Sequence, residues 1–165
     1  MNSNLFIACF RADFDRFFSM LELQMERCPD RLWTEHAGGW LVSQQFFHSL
    51  VCNEVYVFPD KEPDWHGHSK EIAMLNRDPD APISREAMRK LAATMKSAAH
   101  AYMDGLSVEA LTENHRTYSR LMGRDKNHLQ ALMAMIRHCN YHLGCIDALF
   151  NERGISIVYQ AGQGK

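Results

Sequence analysis

The sequence predicts an all-α protein, and three observations carry that prediction. Apolar residues recur at three- and four-residue steps through four long segments. Proline, glycine and capping residues punctuate the ends of those segments. Strand signals are nearly absent, the exception being Ile155 to Tyr159 close to the C-terminus. At 165 residues and 19.0 kDa the chain has the size of one domain, spanning 1–165.

The first helix is expected over about 4–28. Phe6, Phe10, Phe14, Phe17, Leu21 and Met25 form its wide apolar face, a core or dimer surface, and Pro29 stops it. The second is expected over about 41–58, ending before Pro59, with Leu41, Phe47, His48, Val51, Cys52 and Val55 sharing one side. A crossover, 59–83, follows and holds four of the five prolines. It is far longer than a tight helix–helix turn, so the helices it joins need not be antiparallel neighbours. That length suits an up-down-down-up four-helix bundle.

The third helix is expected over 84–104. Ser84 is its N-cap, Glu86 sits in the first turn, and Gly105 closes it. Its stripe is Met88, Leu91, Met95, Ala98 and Tyr102. The stretch from Leu106 to Arg124 has room for one short helix capped by Ser107. The fourth long helix is expected over 125–152, with Asp125 as N-cap and Gly154 as its stop, leaving a tail, 153–165. Leu132, Ile136, Cys139, Leu143, Ile146 and Phe150 make an unbroken apolar line along it.

Composition narrows the functional classes. Hydrophobic residues are 46% and charged residues 23%, which excludes extensive disorder and supplies a core that needs no disulfide or metal simply to fold. Eighteen basic against 20 acidic residues give a net charge of -2, without the basic footprint of a nucleic-acid binder or of a partner for an anionic membrane. No apolar run approaches a membrane span, and the apolar start, Leu5 to Phe10, is too short and too soon charged for a signal peptide. The five cysteines contain no CxxC pair and read as free thiols in a reducing cytosol, so a cytoplasmic location is expected. A phosphate-binding glycine loop, a serine-nucleophile motif and a nucleotide fingerprint are all missing.

Nine histidines, about twice the usual share, then direct attention. His138 and His142 are four apart, one turn apart on one helix face, in the row Met135, His138, His142, Cys145. His48 lies mid-helix beside Val51 and Cys52 and also looks inward. Spacing alone leaves two readings: hydrogen-bonded core imidazoles, or three ligands of one metal. Cys52, at i+4 from His48, and Cys145, at i+3 from His142, are core cysteines or a softer fourth ligand. Tyr141 reads as a packing residue, and Tyr102 as a residue lining the pocket. His66 and His68, an HxH pair beside Trp65, are a solvated loop, a lid or a surface metal pair; His36, His100, His115 and His128 are expected to be exposed.

Two segments carry a resemblance to a known family. Trp40 to Tyr56, WLVSQQFFHSLVCNEVY, resembles the second helix of the DinB-like (YfiT-like) metal-binding four-helix bundles, where a tryptophan precedes the helix and a histidine lies two turns in. Arg137 to Gly154, RHCNYHLGCIDALFNERG, resembles their last helix with its HxxxH. Leu41 stands where relatives often carry a capping serine, a role that passes to Ser43, and Cys145 follows Gly144 where relatives often have glutamine. The resemblance implies that His48, His138 and His142 are the ligands of one divalent metal. It also implies a homodimer and, in some relatives, S-transferase or isomerase chemistry on a low-molecular-weight thiol.

Three neutral imidazoles leave a divalent ion an open position, and no carboxylate stands at a ligand spacing with them. Zinc and nickel lead the expected metals, with iron and copper also suited to imidazole. The functions carried forward are a metal-dependent enzyme activating a thiol or water, a non-catalytic stress-response metal binder, and a zinc-water hydrolase. No residue of the sequence names a catalytic group or a substrate beyond a small molecule.

Overall fold

A computed structural model of the chain describes residues 5–157. Seven helices make up most of it, and the only strands among these residues form one two-stranded hairpin. Helix α1 spans Leu5–Arg27, α2 Asp30–Trp33, α3 Val42–Val57, α4 Lys70–Ala73, α5 Arg85–Gly105, α6 Arg116–Met122 and α7 His128–Glu152. None is long and apolar enough to cross a membrane. Helix α1 packs on α5 and α7, and α3 packs on the same two.

The ends of the long helices follow local chemistry. Ser84 caps α5 by accepting the Ala87 N–H at 3.1 Å, as expected. Helix α7 starts later than expected: its N-cap is Asn127, not Asp125, because Asn127 and Gln130 exchange bonds as a capping box. Residues 126 and 127 are moreover held extended, since the His115 N–H donates to the Lys126 carbonyl and Asn114 bridges Asn127. Ser107 Oγ accepts the Ala110 N–H ahead of the 3₁₀ segment Ala110–Thr112, which has no side-chain cap, while α6 is capped by His115. Ser43 caps nothing; α3 begins behind Leu41 without a side-chain cap, and the Ser43 Oγ is buried without a partner. Ile155 to Ile157 are irregular rather than extended, and the rest of the expected strand, Val158 and Tyr159, lies outside the described residues.

Burial refines the apolar faces. On α1 the core side is Ile7, Phe14, Phe17, Phe18, Leu21 and Met25, whereas Phe6 is 67% exposed. Phe14, Phe17 and Phe18 are fully buried, with the Phe14 and Phe18 rings 4.6 Å apart, and each contributes roughly 1.5–3 kcal/mol of hydrophobic stabilisation. On α5 the lower half buries Ala99 and Met103 in place of Ala98 and Tyr102, a one-residue rotation of the stripe. On α7 the apolar line holds, apart from a half-buried Ile136.

Helix α3 differs most from expectation. All sixteen of its residues are buried, not one side, because α2, α4, α5, α6, α7 and the hairpin all pack on it. Its polar side chains must therefore find partners inside the protein. The Gln44 amide donates to the carbonyls of Ile72 and Arg77, and the Ser49 hydroxyl to the Gln45 carbonyl. The two Gln44 bonds fasten the crossover to the central helix.

The hairpin, β1 (His36–Ala37) with β2 (Trp40–Leu41), pairs His36 with Leu41 and Ala37 with Trp40. Gly38 and Gly39 turn it with φ of +61° and +98°, where a side chain would strain the backbone. It sits between α3 and α7, the two helices that carry the expected ligands.

Candidate metal centre

The structure brings His48, His138 and His142 together. One ring nitrogen from each lies within 4.8 Å of the others, and the ring centroids are 4.6–4.8 Å apart. His48 comes from the middle of α3; His138 and His142 come from successive turns of α7, whose i,i+4 geometry aims both at α3. His48 and His142 are 6% and 3% exposed, and His138 is half-buried.

Partners of the second nitrogens fix the tautomers. The His48 Nδ1–H donates to the Ala73 carbonyl at 2.6 Å, so its Nε2 carries a lone pair. That Nε2 is 2.9 Å from the Nε2 of His138. The His142 Nδ1–H donates to Gln45 Oε1 at 3.4 Å, again leaving Nε2 bare. Gln45 is itself held by the carbonyls of Ala37 and Trp40, so the hairpin orients His142 through one glutamine. Nδ1 of His138 is buried with no hydrogen-bond partner.

Electrostatics keep the group neutral. Burial lowers the pKa of His48, partly offset by its bond to Ala73. Burial, with His48 beside it, lowers His138 to about 4. Burial, with His48 and His138 beside it, lowers His142 to about 3. At neutral pH the three imidazoles are thus uncharged: His48 and His142 present bare Nε2 atoms, and the Nε2–H of His138 can donate to that of His48. Tetrahedral zinc–nitrogen bonds place ligand nitrogens roughly 3.4 Å apart, a spacing within the span of this group. The three histidines can hold a divalent ion.

Among the described residues no cysteine or carboxylate completes the group. Cys52 Sγ lies 3.5 Å from His48 Nδ1 and 3.7 Å from its Nε2, and burial pushes its thiol up to about 12. Cys145 is half-buried, its sulfur packed beside Gly38 in the hairpin turn. Tyr141 is 57% exposed rather than packed, its ring edge-on to His142 at 5.0 Å.

Other expectations are corrected. Tyr102 does not reach the three histidines: its hydroxyl is 2.6 Å from Nδ1 of His128, in a separate cluster. His115 and His128 are buried, at 0% and 8% exposure, because residues 113–128 fold back against α3, α5 and the start of α7. His100 is half-buried against Asp15, whereas His36 is exposed beside Asp78. His66 pairs with the buried Glu54 and His68 lies edge-on to Phe47, so neither stands free as a surface pair.

Sequence reasoning missed Gln45, Ala73, Trp40 and Tyr56. Trp40 lies edge-on to His142 with ring centroids 6.3 Å apart, and Tyr56 is 6.1 Å from His138. Burial raises the Tyr56 phenol above its ordinary range, so it remains a protonated donor. The available signal was the pair Gln44–Gln45 directly before Phe46 and Phe47 in the helix that carries His48, since buried glutamines need partners. No protein-family model, curated protein or solved structure matches the chain.

Proposed function

We propose that this protein binds one divalent metal through His48, His138 and His142 and is a metal-dependent enzyme of the DinB-like four-helix-bundle kind. One observation carries the reading: three neutral, buried imidazoles from two helices converge within 4.8 Å, two of them with the opposite nitrogen tied to Ala73 and Gln45. At most one of the three facing nitrogens carries a hydrogen, so a cation between them would satisfy the lone pairs that remain.

A divalent ion bound there supplies a Lewis acid that lowers the pKa of a thiol or water in its open position. The chain's own residues do the rest. Ala73 and Gln45 hold the tautomers, and Trp40 and Tyr56 wall the site on either side. Tyr56, its ring 6.1 Å from that of His138, keeps its phenol protonated. The absence of a cysteine or carboxylate from the group favours an open site over a closed structural one. A low-molecular-weight thiol is the substrate class and zinc or nickel the metal that this reading carries, with a homodimer as the expected assembly.

Elemental analysis of untagged, freshly purified protein tests it beside the double variant His138→Ala/His142→Ala. About one metal per chain in the parent, absent from the variant, is the expected result. A metal-free parent that also fails to load with zinc or nickel overturns it. A metal-loaded protein that neither binds nor turns over a panel of small thiols places it instead with non-catalytic metal binders or hydrolases.

A further inference from the structure

A second feature stands apart from the three histidines, on the side of α3 that faces the crossover and α5. A pocket of about 320 Å³ opens there, a size within the usual range for small-molecule sites. Phe47, Ile83 and Leu91, all buried, give it an apolar floor, and the His68 ring stands edge-on to Phe47 with centroids 4.7 Å apart. His66 from the crossover, with Lys90 and Thr94 from α5, supplies its polar rim. None of the three clustered histidines lines it.

Where the hydrogens of that rim are spent decides what it can bind. Glu54, on α3 and with its side chain 3% exposed, accepts the His66 Nε2–H through Oε1 at 2.8 Å and the Asp64 N–H through Oε2 at 2.8 Å. An uncharged His66 therefore keeps Nδ1 as a bare acceptor. The Thr94 hydroxyl donates to the Lys90 carbonyl at 3.0 Å, which leaves its oxygen with lone pairs only. The Lys90 ammonium pairs with Glu86 at 2.6 Å, so its charge is answered by a residue outside the lining. The rim thus offers acceptors from the crossover and from α5 and leaves no charge unpaired. His66 is held there at some cost: its φ is +49°, left-handed for a residue with a side chain. A strained residue whose imidazole is fixed by a buried carboxylate, beside a roomy pocket, points to a ligand site.

We propose that this pocket binds a small uncharged phenol, its hydroxyl donating to Nδ1 of His66 and its ring packed on Phe47, Ile83 and Leu91. A phenol joins the neutral donor that a bare imidazole nitrogen takes to a flat apolar ring that suits the Phe47 and His68 walls. The protein makes the same pairing internally, where the Tyr102 hydroxyl lies 2.6 Å from Nδ1 of His128.

Nuclear magnetic resonance titration of the full chain at about pH 8 tests this, with 4-methylphenol and its methyl ether, 4-methylanisole, as probes. Proton–nitrogen spectra of the imidazoles are expected to show His66 uncharged with its hydrogen on Nε2, and added 4-methylphenol should shift the Nδ1 resonance. The ether, which has no hydrogen to donate, is expected to bind roughly tenfold more weakly. His66→Asn, a residue that tolerates a left-handed backbone, removes the ring and should erase that preference. Ala87→Trp, at an exposed lining position on α5, fills the pocket and should abolish binding of both probes while metal content stays at the parent value. Should His66→Asn unfold, the Nδ1 resonance and Ala87→Trp decide. Absent binding of 4-methylphenol, equal binding of the ether, a hydrogen on Nδ1 of His66, or undiminished binding in Ala87→Trp overturns the proposal.

Discussion

Two groups of buried histidines lie in this protein, and they use their nitrogens differently. His115 spends both on the fold: Nε2–H donates to the Tyr56 carbonyl at 2.8 Å, and Nδ1 accepts the Tyr118 N–H at 3.2 Å as the cap of α6. Its neighbour His128 shares a 2.6 Å bond with the Tyr102 hydroxyl. His48 and His142 are comparably buried and His138 half-buried, yet one ring nitrogen of each is turned toward the other two. Burial therefore does not distinguish a ligand from a structural histidine; the accounting of each nitrogen does.

The largest expected effect breaks the comparison by metal content. His138→Ala/His142→Ala should remove all bound metal, whereas His115→Ala, read by the same elemental analysis, should leave about one per chain. Metal lost equally from both would mean that the two groups are one functional unit, or that metal depends only on a stable fold.

Stability should rank the variants the other way. His115→Ala deletes a fully buried ring and strands both the Tyr56 carbonyl and the Tyr118 N–H, which costs about 2–4 kcal/mol. Urea unfolding in the presence of chelator measures it. The metal-site double variant, which strands no backbone N–H, should lose less under the same conditions. A His115→Ala protein as stable as the parent would remove the structural role assigned to that group.

Why one group was legible and the other was not follows from where each sits. His48, His138 and His142 lie inside long periodic segments, so their facing could be read from a turn of 3.6 residues. Ser84 and the prolines at 29 and 59 bounded those segments well. His115 lies in a stretch with no period, buried by an extended pairing with Lys126 that no local signal announces. The same pairing displaced the start of α7 from Asp125 to Asn127. Helix α3 looked one-sided because the sequence placed only Leu41, Phe47, His48, Val51, Cys52 and Val55 on a shared side. Gln44 and Glu54 instead fasten a crossover whose path depends on contacts distant in sequence. Gln45, which orients His142, was hidden for that reason.

A smaller effect sharpens the comparison through pH. In the metal-free protein burial lowers His138 to about 4 and His142 to about 3, and lowers His48, His115 and His128 below 6.5. From 6.5 downward the unfolded chain takes up protons that the folded chain does not, so these groups favour the fold fully above 6.5 and progressively less below it. Stability should fall between about pH 7 and about pH 5 by up to about 1.4 kcal/mol per pH unit for each histidine still neutral in the fold. Urea titrations in chelator check the sign, and the double variant should show the shallower slope. A flat profile would mean that these rings are solvated in the folded state.

The smallest effect concerns a polar atom that neither group explains. Ser43 Oγ, like His138 Nδ1, is buried without a hydrogen-bond partner. His138 faces two other imidazoles, and its cost is offset if a cation joins them. Ser43 has no such company, and it occupies a helical position where alanine is the better helix former. Ser43→Ala removes the orphaned hydroxyl and should stabilise the protein by about 0.5–1 kcal/mol in urea unfolding, with metal content unchanged. A loss of stability would reveal a partner for that hydroxyl in solution and leave Gln44 Oε1 as the buried side-chain atom of α3 without one.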